Sequence, residues 1–143
     1  MTMAKSKRRE QRETAFVLVF EHSITNAELD EIIDNALDSR DISLDLFGRK
    51  LAQGVIDNMD KIDEVITNNI RAWSINRLSK VRLSVLRLAV YELMFESDIP
   101  VGVTINEAVE LAKKYGDTGD SSYVNGVLSS VSKSDVVCEK EAE

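Results

Sequence analysis

Cysteine, proline and histidine are nearly absent from this chain of 143 residues, which contains one of each. A lone cysteine, Cys138, excludes an intramolecular disulfide and fits a reducing compartment. With one histidine, His22, no metal site at ligand spacing is predicted. We therefore expect a cytoplasmic protein without disulfide, metal or cofactor.

Long apolar runs are also missing. None approaches the ~20 residues needed to cross a bilayer, and none follows the basic N-terminus as a secretory signal would require. The apolar share of 43% and the charged share of 30% are typical of a soluble globular protein. This length allows one domain, or two small helical halves that share a core.

Positive charge is scarce, with a net charge of −7, yet it is concentrated at the N-terminus. Residues 1–12 carry +4, which leaves −11 for the rest of the chain. The cations of this basic arm are Lys5, Lys7, Arg8, Arg9 and Arg12. The asymmetry indicates that the arm contacts phosphates, although such a terminus can also serve only to make a chain soluble. If all five cations contact a single-stranded nucleic acid, the slope of log affinity against log salt concentration is bounded at about −3.5.

Residues 78–116 read as a buried helix, a tight connection and an amphipathic helix. Apolar residues cover most of the circumference of residues 81–95, which predicts burial, and Pro100 ends this helix at about 96–98. Thr104 and Glu107 have the spacing of a capping box, so the next helix is predicted to begin at Thr104 and to end before Gly116.

The remaining pattern predicts helices over about 6–22, from Asn26 as a cap to 37, over 44–59, over 60–70, and from Asp120 or Ser121 to 131. Residues 15–20 alone would also fit a strand, but the charged residues before them favour a helix. Asn125-Gly126 falls inside the last helix, where the glycine would let another backbone approach. Trp73 lies in a connection.

The fold class is therefore all-α, with about seven helices. Residues 1–7 are expected to be a flexible basic N-terminus and residues 133–143 a disordered acidic tail. Between them lies one domain, 8–132, with halves of about 8–72 and 73–132.

Catalytic groups are not evident. His22 is the only histidine that could serve a nucleophile, and acidic pairs such as Asp57/Asp60 are most simply solvated helix faces. Residues 116–120 are not a phosphate loop, because they follow a helix and no lysine comes after them. No enzyme is predicted. Phe16, Phe20 and Tyr123 are candidates for stacking on bases beside the arm, or else belong to the core.

Several motifs, in order along residues 8–131, resemble the NusB family of bacterial transcription antitermination factors. They are RRxxRExA from Arg8 with Phe20, LRLAVYEL from Leu86, DxP from Asp98, INEAVELAKKYG from Ile105 and YVNGVL from Tyr123.

The resemblance implies an all-helical protein of two packed helical subdomains, without catalytic activity. It implies binding of the boxA element of nascent ribosomal RNA leader transcripts together with NusE, a small-subunit ribosomal protein, so that RNA polymerase resists termination. The RNA-contacting motif maps onto Arg8, Arg9 and Arg12. Phe20 and Tyr123 match positions that border the RNA, and Arg82 stands where the family is commonly acidic, at a position that we expect to face the partner.

Two alternatives stay open at this stage. The same fold forms the RNA-binding front domain of ribosomal RNA cytosine methyltransferases, although no catalytic domain or cofactor loop follows here. A non-catalytic protein-interaction module or a homodimer, with only nonspecific RNA contact, is the other; some members of the family dimerise and thereby cover the RNA surface.

Overall fold

The computed structural model describes residues 2–39, 43–71 and 74–141. Within these ranges the chain forms seven α-helices, one 3-10 helix and no strand. They are α1 (Thr2–Thr25), α2 (Leu29–Ser39), α3 (Leu46–Asp57), α4 (Met59–Asn69), the 3-10 helix Ile75–Arg77, α5 (Lys80–Phe95), α6 (Val101–Tyr115) and α7 (Asp120–Ser132). The predicted all-α class is confirmed, while Trp73 lies outside the described residues.

Helix α5 lies at the centre of the fold. It packs against α1, α3, α4, α6 and α7, and every residue from Leu83 to Leu93 except Arg87 is buried. The nearly continuous apolar surface predicted for this segment is the reason: a helix that is apolar on most sides is stable only when neighbours cover it on most sides. No helix in the described part of the chain is long and apolar enough to span a membrane.

Helix α6 begins at Val101, so the predicted start at Thr104 is wrong. Pro100 occupies the N-cap, and its carbonyl accepts the amides of Val103 and Thr104 at 3.1 and 3.2 Å. The Thr104 hydroxyl is therefore not needed as a cap. It is buried and donates instead to Glu92 Oε1 at 3.0 Å, which joins α6 to α5.

Both ends of α1 differ from the prediction. The helix begins at Thr2 rather than near residue 6 and continues to Thr25. Asn26 does not cap the following helix; it has φ 57° and its amide donates to His22 O at 2.9 Å, which closes the last turn of α1. Asparagine tolerates this left-handed conformation better than most residues. Asn26, which was predicted to begin α2, therefore ends α1.

Helix α7 runs through Asn125-Gly126, as predicted, but no backbone approaches the glycine: a Cβ placed at Gly126 meets nothing within 4 Å. Gly119, with φ 93°, is the N-cap, and Asp120 is the first helical residue rather than the cap. Left-handed backbone of this kind is readily adopted by glycine, so Gly119 sets where α7 begins.

Residues 133–141 differ from the predicted disordered tail, because they are hydrogen-bonded to the end of α5. The Cys138 amide donates to Leu93 O at 3.0 Å, the Lys140 amine to Glu96 O at 2.8 Å, and the Glu141 amide to Ser97 O at 2.8 Å. These donors satisfy carbonyls that the end of a helix leaves free. The division of the domain near residue 72 stays a prediction, since α5 contacts helices from both sides of it.

The close packing of α3 on α5 yields a stability prediction. A Cβ at Gly54 would overlap the Tyr91 ring, which is held by the bond from its hydroxyl to Glu96 Oε2 at 2.8 Å. We expect Gly54→Ala to lower the free energy of unfolding by about 1–3 kcal/mol through overpacking. The matched variant Gly126→Ala, in open space, should raise it by about 0.5–1 kcal/mol. Urea denaturation of both variants checks this, and equal effects would contradict the packing argument.

Candidate nucleic-acid interface

Arg12, the last arginine of the arm, is buried against α5. Its Nε donates to Glu92 Oε2 at 2.9 Å and its Nη2 to Glu92 Oε1 at 3.1 Å, and the two side chains are only 6% and 2% exposed. Burial raises the pKa of Glu92, while the charge and hydrogen bonds of Arg12 and the bond from Thr104 oppose that rise. The Arg12 guanidinium therefore holds α1 to the core, and its predicted contact with RNA stays a prediction.

Arg8 and Arg9, by contrast, lie on the outside of α1. Arg9 binds Glu107 of α6 through two hydrogen bonds, Nε to Oε1 at 3.0 Å and Nη2 to Oε2 at 2.7 Å. Arg8 Nη2 donates to Asp98 at 3.3 Å, and its guanidinium lies 4.4 Å from the centre of the Phe47 ring. Both arginines remain about half exposed or more, so each still presents N–H groups to solvent.

The rest of the arm adds charge on the same helix. Lys7 is exposed, whereas the Lys5 side chain lies outside the described residues. One turn beyond Arg9, Glu13 accepts the Lys114 amine at 2.6 Å, and this bond raises the pKa of Lys114. A row of surface ion pairs thus joins helix α1 to α6 and to the loop that precedes α6.

Aromatic rings continue the row toward the middle of α1. The Phe16 ring lies 6.1 Å from that of Phe20 and 4.8 Å from that of Tyr115, centre to centre. Phe16 is buried, Phe20 is half-buried and Tyr115 is 38% exposed. Tyr115 therefore offers more ring surface to a base than Phe16 does.

Arg82 and Tyr123 form a second group of predicted residues. The Arg82 guanidinium lies 4.2 Å from the centre of the Tyr123 ring, and its Nε donates to Asp120 at 2.5 Å. One face of Tyr123 is thus covered by Arg82, and its buried hydroxyl has no hydrogen-bond partner within the described ranges. Burial would raise the pKa of Asp120, but the bonds from the Asp117 amide and from Arg82, together with the charge of Arg82, lower it below its ordinary value.

The structure brings some predicted residues together and separates others. Arg82 and Glu92 are ten residues apart on α5, which is about 15 Å along its axis, so the Arg82 group lies well away from the Arg12 pair. Glu107, Asp98 and Phe47, which fix the outer arginines, were missed as site residues. They lie far from the arm in the chain, and no local sequence pattern predicts contacts between residues so widely separated.

This arrangement suits the binding of a polyanion better than catalysis. Guanidinium groups make charge-assisted, often bidentate bonds to phosphate, and neighbouring half-exposed rings offer stacking faces for bases. In the part of the chain that the structure describes, no group of three or more His, Cys, Asp or Glu could hold a metal ion.

These features define an all-α protein whose arginine-rich first helix is held against its C-terminal helices. The NusB family model matches residues 9–133. Transcription antitermination protein NusB of Bacillus licheniformis is 43% identical over 130 residues, covering 91% of this chain and 98% of that protein. The chain belongs to the NusB family.

Solved structures agree with this assignment. NusB of T. maritima superimposes with a TM-score of 0.79 at 40% identity, covering 88% of this chain and 90% of that one. A crystal structure of antitermination factors NusB and NusE in complex with double-stranded RNA matches with a TM-score of 0.79 at 29% identity, covering 88% and 96%.

The burial of Arg12 predicts a large difference between neighbouring arginines. We expect Arg12→Ala to lower the free energy of unfolding by about 3–5 kcal/mol, because it leaves the Glu92 carboxylate buried and unpaired. Arg9→Ala, which breaks an exposed pair on the same helix, should cost about 0–1 kcal/mol. Chemical denaturation of the two variants measures both; a small effect of Arg12→Ala would show that Glu92 finds another partner or neutralises.

The lowered pKa of Asp120 predicts a pH-dependent contribution to stability. Its stabilisation is complete above the ordinary pKa of about 4 and is lost as pH falls through the lower folded-state value. Asp120→Asn should therefore be less stable than the parent by about 1–2 kcal/mol near neutral pH, with the gap closing below pH 4. Denaturation at a series of pH values tests this, and a gap that does not narrow as the pH falls would contradict it.

Proposed function

We propose that this protein is an RNA-binding transcription antitermination factor. It binds the boxA element of nascent ribosomal RNA leader transcripts together with NusE, and the complex helps RNA polymerase to resist termination. Family membership over residues 9–133 supports this, as does the relative in complex with NusE and RNA. The observation that carries the proposal is the exposed pair of arginines on α1, Arg8 and Arg9, beside half-exposed aromatic rings.

The charge distribution supports a requirement for a partner. A chain with net charge −7 repels RNA except at the arm, so its own affinity for RNA should be low. A basic ribosomal protein would add phosphate contacts that this acidic body lacks. With Arg12 buried, four arm cations remain, and they bound the salt slope at about −2.8 for single-stranded RNA rather than −3.5.

We further propose that the protein acts without catalysis and in the cytoplasm. The lone Cys138 suits a reducing compartment, and a factor that accompanies RNA polymerase acts where transcription occurs. Lys5, Lys7, Arg8, Arg9 and the rings of Phe20 and Tyr123 remain the proposed RNA-contacting residues, with Arg82 as a partner-facing one. Tyr115 joins them because it is the more exposed neighbour of Phe16.

Binding of a labelled boxA RNA, with and without NusE and at two salt concentrations, tests the function. We expect tighter and boxA-selective binding when NusE is present, because the partner supplies the missing positive charge. A scrambled RNA of equal length is the control. Equal, weak and salt-sensitive binding of both RNAs under all conditions would favour the protein-interaction module or homodimer.

The exposed arginines give a matched test of the interface. Replacing Arg8 and Arg9 by alanine should weaken RNA binding and reduce the magnitude of the salt slope by about 1.4, since two phosphate contacts are lost. The control is the double variant Arg49→Ala with Lys61→Ala, which removes two exposed cations from α3 and α4. Equal changes in slope for both double variants would point to net charge rather than to the arm.

A further inference from the structure

In the Arg9–Glu107 pair, the glutamate holds the arginine side chain in one position as well as neutralising its charge. The carboxylate of Glu107 takes the Nε–Nη2 edge of the guanidinium through the two bonds described above. Glu107 is itself only 12% exposed, whereas Arg9 is 62% exposed. The fixed member of the pair is therefore the glutamate, and the arginine is held by it at the surface.

The other edge of the same guanidinium is left for a ligand. A guanidinium has five N–H donors, and Glu107 occupies two of them. The remaining three include the fork formed by Nη1 and Nη2. Such a fork matches two adjacent acceptors, as found on a phosphate group or on the O6/N7 edge of a guanine.

Holding the guanidinium in place changes the free energy of binding. A long, exposed arginine loses rotamer freedom when it docks on a ligand, and a side chain that is already ordered loses less. Arg8 shows the same arrangement in weaker form, with one bond to Asp98 and the Phe47 ring under its guanidinium. Two neighbouring arginines on α1 are thus pre-ordered by groups from other elements.

A carboxylate beside a phosphate site also repels the ligand, and the two effects must be separated. Glu110 lies one turn further along α6 and is close enough for its charge to raise the pKa of Arg9, as the hydrogen bonds and charge of Glu107 do. Glu110, however, forms its ion pair with Lys113, at 3.4 Å. Glu110 therefore supplies a charge-matched control on the same helix.

We propose that Glu107 is a positioning residue for RNA, which orders Arg9 so that its free Nη1–Nη2 fork receives a phosphate or a guanine edge. The proposal rests on the RNA-binding function proposed above. It differs from a simple competition, in which Glu107 occupies Arg9 and must be displaced before RNA binds.

Affinity for boxA RNA and for a scrambled RNA, measured for Glu107→Gln, Glu107→Asp and Glu110→Gln, tests the proposal. Glu107→Gln should bind boxA RNA about three- to tenfold more weakly than Glu110→Gln, the range expected when one side chain must be ordered on binding. Glu107→Asp keeps the charge but withdraws the carboxylate by one methylene group, so it should bind more weakly than the parent protein. Loss on both RNAs indicates a phosphate ligand, and loss on boxA alone indicates a guanine edge; either supports the proposal.

An Arg9→Ala background separates positioning from a structural effect of the substitution. There, Glu107→Gln and Glu110→Gln should bind RNA equally, because no guanidinium is left to order. The proposal would be overturned if Glu107→Gln still bound RNA more weakly than Glu110→Gln in the Arg9→Ala background. It would also be overturned if the two variants bound RNA equally tightly when Arg9 is present. If the parent protein itself fails to bind boxA RNA in the presence of NusE, the proposed function fails instead.

Discussion

The buried ion pair between Arg12 and Glu92 is the interaction on which the rest of the surface depends. Through Thr104, which donates to the same carboxylate, it joins α1, α5 and α6 at one point in the interior. A buried pair of this kind contributes little net stability but is costly to break, because removing one partner leaves an uncompensated buried charge. Arg8 and Arg9 lie one turn before Arg12 on neighbouring positions of α1, and there the side chains are exposed.

The acidic side chains that face the boundary between α1 and α6 have a structural role as well as an electrostatic one. Asp98, Glu107 and Glu13 each pair with a cation across the line where α1 meets α6 and the loop before it. Single surface pairs of this type stabilise a fold only slightly. Together they hold cationic side chains of both helices in defined positions, Arg8 and Arg9 of α1 and Lys114 of α6.

The second group, Arg82 with Asp120 and Tyr123, joins α5 to the start of α7. A basic residue at position 82 covers one face of the Tyr123 ring and binds the first residue of α7. Its charge is thus directed at a neighbour within the protein. Arg82 is also less exposed than the outer arginines of the arm, at 28% against 46% for Arg8 and 62% for Arg9.

The sequence by itself determined the helical class, the burial of α5, the basic arm and the family, because these depend on local periodicity, on capping residues and on motifs that are contiguous in the chain. It misplaced the starts of α2 and α6, since Asn26 and Thr104 are chemically suited to a cap and also to the roles they have here. Only the tertiary structure decided which arginine of the arm is internal and which carboxylates order the others. Those partners lie about 80 to 100 residues away in the chain, and a contact over such a distance is set by how helices pack, which no local pattern encodes.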